Sequence, residues 1–214
     1  MKGVKFGIFH SYSFYNLILN SKEIGSPEVK TNYIEIPGAD GYIDFTNFFG
    51  EPKYKNRKLV FHFTVSHAVG IDKYLSTYQN VHTILHGKAM KITLDEDPDW
   101  YYYGVVHVGD YQCNRNIATF DIECDCEPYR IEAAETVVSQ YVDGVAQISL
   151  YNSKKRVVPT ITSDSELLYK YDGVYYNPGS GTFTIPEIEL KDGYNYVEVT
   201  GVGNVTFTYR KGRL

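Results

Sequence analysis

The chain has 214 residues, 43% of them hydrophobic and 22% charged, which is the balance of a globular protein and not of a disordered one. At that length it can form one large all-β domain or two smaller ones, each able to bury its own core. The net charge of -5 is spread along the sequence with no basic face or arm, which speaks against a nucleic-acid partner, and no apolar run approaches membrane-spanning length.

Residues 1–6 carry some positive charge but no apolar h-region, so no secretory leader is expected and synthesis in a cytoplasm is. Segments 4–9 and 17–19 read as short strands and 20–31 as a polar connection. A further strand over 33–36 is ended by Pro37-Gly38 and Asp40-Gly41. From 36 to 56 the sequence is rich in Gly, Pro and rings (Tyr42, Phe45, Phe48, Phe49 and Tyr54) yet shows no regular period. Rings exposed on an irregular arm need a partner to bury them, and a cyclic head-to-tail contact would supply one. The alternative is that they fold back on the chain's own core.

The clearest strand covers 58–65, with Leu59, Phe61, Phe63 and Val65 on one face. Ile71, Tyr74, Leu75, Tyr78, Val81, His82 and Leu85 recur at steps of three and four and predict one amphipathic helix. Ser66 is its expected cap and Gly87 its stop. Strand patterns return at 88–94 and 100–108, joined by the acidic turn 95–99. Segment 119–127 alternates strictly, with Phe120, Ile122, Cys124 and Cys126 on one face and acids on the other. Residues two apart on a strand are separated by roughly 6.5 Å with parallel side chains, a poor geometry for a disulfide, so both thiols are expected reduced in the core.

After Pro128 the rhythm changes to short β-like runs at 145–151, 157–162, 167–171, 182–185, 194–200 and 205–209. They are punctuated by Asp143-Gly144, Asn152-Ser153, Asp172-Gly173, Pro178-Gly179-Ser180-Gly181, Asp192-Gly193 and Gly203-Asn204. Strands spaced in this way, with no helical period, predict an antiparallel sandwich. A domain boundary is expected near residue 130, giving units 1–130 and 131–214. The fold class is therefore mainly β, with an N-terminal β-sandwich bearing one α-helix and an extended arm, followed by a second β-sandwich. The 21 Tyr and 11 Phe against a single Trp suit half-buried sheets and protein interfaces.

No pattern in the sequence marks a catalytic centre. His82 and His86 have a zinc-compatible spacing of one helical turn, but Thr83 follows the first His where a metalloprotease needs Glu, and no third ligand is evident. Asp95, Asp97 and Asp99 start like a calcium loop, which then requires Gly where Trp100 stands and Glu where Val106 stands. No facing carboxylate pair, nucleophile elbow or phosphate-cradling loop is marked, and Gly201-Val202-Gly203 is a turn signal only. No enzyme activity, metal or cofactor is expected.

Several motifs occur in a characteristic order. Ile36-Pro37-Gly38-Ala39-Asp40-Gly41-Tyr42-Ile43-Asp44 is followed by Tyr54-Lys55-Asn56-Arg57-Lys58-Leu59, then Leu85-His86-Gly87-Lys88, Leu94-Asp95-Glu96-Asp97-Pro98, the run 101–104 and Cys126-Glu127-Pro128-Tyr129. The series resembles the N-terminal domain of the siphophage distal tail proteins of phages and prophages of Gram-positive hosts. Gly193-Tyr194-Asn195-Tyr196 through Gly201-Val202-Gly203 to Tyr209-Arg210-Lys211-Gly212 is similar to that family's C-terminal, galectin-like β-sandwich. The resemblance implies a structural hub of the virion tail tip, assembled in the host cytoplasm. It implies a hexameric ring of N-terminal domains in which an arm from each clasps a neighbour. The implied partners are the tail tube protein, the tail-associated lysin or fibre and a receptor-binding protein. Tyr42, Phe45, Phe48, Phe49 and Tyr54 are then the candidate subunit-interface residues.

A second reading makes the C-terminal sandwich a carbohydrate-binding module for host cell-wall saccharide. The galectin sugar signature is not evident and the lone Trp100 lies in the other half, so the candidate saccharide contacts are Tyr169, Tyr171, Tyr175 and Tyr176 around Asp172-Gly173. Cross-strand packing of the same tyrosines is the simpler account.

Overall fold

A computed structural model describes residues 3–38, 40–46, 50–114 and 116–214. The chain divides into two compact units, Met1–Pro128 and Tyr129–Leu214. In the first unit the elements are β1 (Val4–Phe6), β2 (Phe9–His10), the five-residue α1 (Ser11–Tyr15), β3 (Leu17–Ile24), β4 (Tyr33–Glu35), β5 (Tyr42–Asp44) and β6 (Arg57–Val65). Then follow α2 (Tyr74–Leu85), β7 (Ala89–Leu94), β8 (Asp97–Val108), β9 (Gln112–Asn114) and β10 (Ile117–Cys126). The second unit holds β11 (Arg130–Glu132), β12 (Thr136–Asn152), β13 (Thr160–Ser163), β14 (Leu168–Tyr171), β15 (Val174–Tyr176), β16 (Gly181–Thr184), β17 (Gly193–Tyr209) and β18 (Gly212–Arg213). The described residues are mainly β with one substantial helix, as the alternating patterns predict.

The main sheet of the first unit runs β2-β1-β7-β8-β10-β6-β3, with β9 added to β10, and its pairings are antiparallel. Three strands separate β1 from β6 in this order, yet the Phe6 ring stands 5.8 Å from Phe61 and 6.4 Å from Phe63. One curled sheet therefore supplies both walls of the core. The alternation of β6 and β10 places Leu59, Phe61, Phe63, Val65, Phe120, Ile122, Cys124 and Cys126 inside. Each such large side chain contributes about 1.5–3 kcal/mol by leaving water.

α2 closes the remaining side through Tyr74, Val81 and Leu85, and Tyr78 meets Phe120 edge-on at 5.3 Å. The helix begins at Tyr74, later than the apolar stripe alone suggests. Gly70, at φ +89°, interrupts the run, and two 3-10 turns, His67–Val69 and Ile71–Lys73, lead in. Ser66 does cap, but it caps the first of these turns, accepting from the Ala68 N–H at 3.3 Å. Gly87 lies just past the helix end with φ +75°.

Two connections are shorter than expected. β3 continues to Ile24 instead of ending at residue 19, because β6 pairs with it past a bulge between Leu19 and Ser21. Of the acidic turn only Asp95-Glu96 is turn; Leu94 pairs with Asp97, so Asp97, Pro98 and Asp99 begin β8.

The second unit is organised around β12 and β17, which pair along 17 residues each, from Thr136↔Tyr209 to Asn152↔Gly193. Asp143-Gly144 and Gly201–Gly203 therefore lie inside strands and are not turns. On its other side β17 pairs with β14 over Leu168↔Thr200 to Lys170↔Glu198, and with β13 over Thr160↔Thr208 to Ser163↔Val205. The change of neighbour falls at Gly201–Gly203, where both glycines have positive φ and the strand bends without changing which face is buried. The bend turns β14 toward the other half of the same sheet, and Tyr169 meets Phe207 at 6.4 Å and Phe183 at 5.8 Å. The two layers of this unit are thus one six-stranded sheet folded over a core of Ile148, Leu150, Ile161, Tyr169, Val197, Val199 and Phe207.

Candidate subunit-contact site

The arm grows directly out of the β3–β6 ladder. Past Ile24↔Leu59, Gly25 N–H donates to Lys58 O, Lys55 N–H to Glu28 O, and Lys30 N–H to Lys53 O, while Val29 bridges Tyr54. Farther out Phe45 N–H donates to Asn32 O, and the β4–β5 pair follows with Tyr33↔Asp44, Ile34↔Ile43 and Glu35↔Tyr42. The descending side carries extra residues between the two stretches, which gives the segment its irregular sequence rhythm. Gly38 and Gly41, at φ +85° and +84°, turn the tip. Twelve residues separate Ile24 from Ile36, so the outgoing strand adds at most about 40 Å to the ladder.

This hairpin forms a two-stranded sheet of its own. Isolated hairpins of that size are marginal in water. Tyr33, Ile34, Ile36, Tyr42 and Ile43 are each 45–62% exposed, with apolar residues on both faces of the ladder. Tyr33 and Tyr42 shield one another, with ring centroids 4.3 Å apart. At the hairpin base the Asp44 carboxylate accepts from Thr46 N–H at 2.8 Å, and hydrogen bonding with Thr46 holds its pKa below the usual value. Of the candidate interface residues, Tyr42 is exposed, Phe45 and Tyr54 are half-buried, and Phe48 and Phe49 lie outside the described residues. Tyr33, Ile34, Ile36 and Ile43 join Tyr42 on the arm. The sequence signal of the first three is the run Tyr33-Ile34-Glu35-Ile36, which reads as a strand but lacks a polar partner at every second place.

The other sequence candidates fall elsewhere. Tyr169, Tyr171, Tyr175 and Tyr176 flank the two-residue turn Asp172-Gly173, whose φ values are +47° and +83°. Strand alternation divides them. Tyr169 is wholly buried, and Tyr171 is buried with its hydroxyl donating to Glu189 O and Asn195 Oδ1. Tyr176 is half-buried, and only Tyr175 is exposed, with the Lys170 ammonium 5.1 Å from its ring centroid. The four rings do not form a common platform.

His82 and His86 stack with centroids 4.3 Å apart and planes 13° from parallel, and His86 Nδ1 accepts from Val108 N–H. Among the described residues no group of three or more His, Cys, Asp or Glu is arranged to hold a metal ion. Asp95 ties the N-terminal strand down, accepting from Gly3 N–H at 2.7 Å and His10 Nε2 at 2.9 Å. Burial alone would raise its pKa, but these bonds outweigh burial and hold the carboxyl below its usual range. Cys124 and Cys126 are unpaired and fully buried, and Cys113 is exposed. Burial drives the Cys124 thiol pKa up and pushes Cys126 up to about 12.

No protein-family model matches the chain, and no curated protein matches it in sequence. Among solved structures it is similar to the Dit protein of phage SPP1, described as a paradigm of the hub adsorption apparatus in phages infecting Gram-positive hosts. The likeness covers 100% of both chains with a TM-score of 0.72 at 16% identity. It is a full-length likeness of fold.

Proposed function

We propose that the chain is a structural hub of a phage or prophage tail tip, forming a hexameric ring that joins the tail tube to the tail-associated lysin or fibre and the receptor-binding apparatus. The full-length fold likeness to a phage adsorption hub protein supports this reading. The physical observation that carries it is the arm, a two-stranded hairpin whose exposed Tyr33, Ile34, Ile36, Tyr42 and Ile43 have no core of their own. A head-to-tail contact buries such an arm on the next copy, and repeating that contact closes a ring. In this reading the first unit forms the ring, and Tyr42, Phe45, Phe48, Phe49 and Tyr54 belong to its interface. The second unit is a galectin-like domain. The role is architectural, with assembly driven by apolar burial and strand-edge contacts and with no turnover. Gold-labelled antibody against this chain, applied to particles of the phage or prophage that encodes it, tests the assignment by electron microscopy. Label at the distal end of the tail is the expected result; label on the capsid, or particles without the chain, overturns it.

A further inference from the structure

The second unit carries an unprotected strand edge. β12 pairs with β17 on one side along its whole length, and among the described residues no strand pairs with its other side. Edges of this length are ordinarily blunted by Lys, Pro or a covering loop, because their free N–H and C=O groups template further pairing. β12 has no Lys and no Pro, and its only charged residue is Asp143. The outward face beside that edge is also unusually apolar. Tyr141, Tyr151, Tyr194 and Tyr196 are 48–67% exposed there, together with Val137, Val145 and Val202. At about 150–250 Å² for a whole aromatic side chain, the four rings alone leave on the order of 400–500 Å² facing water. With the three valines the stripe reaches or exceeds the roughly 300–600 Å² of the largest patch on a typical monomer. Adding a strand at this edge brings Val137, Tyr141, Val145 and Tyr151 of β12 beside cross-strand neighbours and pairs the row of free N–H and C=O groups, while the β17 rings stay on the face.

We propose that this edge is a twofold interface between two copies of the chain, β12 against β12 in antiparallel register. The strand is self-complementary. Gly144 is its midpoint, so pairing over the full length sets Gly144 opposite Gly144 and leaves no residue of Thr136–Asn152 unmatched. In that register Val137 meets Tyr151, Ser139 meets Ser149 and Tyr141 meets Gln147 of the partner copy, and Asp143 meets Val145. Moving the centre by one residue, to Asp143, would set two carboxylates face to face, which is disfavoured. The contact is independent of the arm and joins copies whether or not a ring forms.

The test uses the full chain carrying Cys113→Ser, Ser139→Cys and Ser149→Cys. Within one copy these two positions are ten residues apart along one strand, at most about 33 Å, and on opposite sides of its bend at Gly144, beyond disulfide reach. Mild oxidation is expected to give a covalent dimer on a denaturing gel, a readout that ring assembly through the arm does not affect. In the same background Val145→Asp is expected to lower the dimer yield at least tenfold by facing the partner's Asp143. Val145→Lys is expected to preserve or raise it. Position 145 is exposed, so neither change disturbs the core. A chain that stays monomeric on the oxidised gel overturns the proposal, as it would if the edge served a foreign strand instead. Equal yields from the Asp and Lys variants overturn the register.

Discussion

Replacing Gly203 by Ala is expected to destabilise the second unit by about 2–4 kcal/mol. Gly203 has φ +155°, in a region that disfavours side chains, and an added Cβ would stand 1.9 Å from Ser165 Oγ and 2.6 Å from Asp164 Oδ1. Each atom can withdraw only by giving up a hydrogen bond. Ser165 Oγ donates to Val202 O at 2.6 Å, and the Asp164 carboxylate accepts from the Asn204 backbone and side-chain amides at 2.8 and 2.7 Å. Backbone strain accounts for about 1–3 kcal/mol and loss of the Ser165 bond for about 1 kcal/mol. For a unit of this size that loss lowers the midpoint of thermal unfolding by roughly 10–25 °C. Circular dichroism during heating, with hydrogen exchange of β17 amides to assign the transition to this unit, measures it. A loss below about 0.5 kcal/mol, or one with no effect on β17 exchange, would refute the claim that β17 must bend here to fold its sheet.

Other consequences are local. Phe61→Ala empties a site lined by Phe6 and Phe63, and urea unfolding of the first unit is expected to register a loss of about 3–5 kcal/mol. A thiol reagent should titrate only Cys113 in the native protein and all 3 cysteines in denaturant; fast native labelling of Cys124 or Cys126 would contradict their burial. The hydrogen bond to Asp121, 2.7 Å from His62 Nδ1, is the main reason the His62 pKa lies above its ordinary value. The stabilisation from this pair is therefore fully present below about pH 6.5 and is lost as pH rises through the folded pKa. NMR titration should show the His62 pKa falling in Asp121→Asn, and an unchanged value would contradict the assignment.

Strand content was legible wherever one face is buried. Leu59, Phe61, Phe63 and Val65 alternate with Lys58, Val60, His62 and Thr64, and the segment is a core strand. Cys124 and Cys126 were legible in the same way. The long strands β12 and β17 were not, because a glycine that bends a strand and a glycine that ends one look alike in sequence. Which occurs at Gly144 and Gly201 is decided by their pairing with each other, a contact 57 residues apart in sequence. The tyrosines around Asp172-Gly173 were a composition signal, and alternation then sent Tyr169 and Tyr171 inward. The arm was visible as a stretch without period. Its role as a continuation of the β3–β6 ladder depends on pairs such as Val29 with Tyr54, which no local pattern announces.

The central claim is that another copy of the chain completes the arm. Light scattering on the full chain with the β12 edge blocked by Val145→Asp measures this most directly. The predicted mass is six times the 24.5 kDa chain, falling to that of a single chain when Ile34→Asp and Tyr42→Asp are added to the arm. An assembly whose mass is unchanged by the arm substitutions would contradict the account.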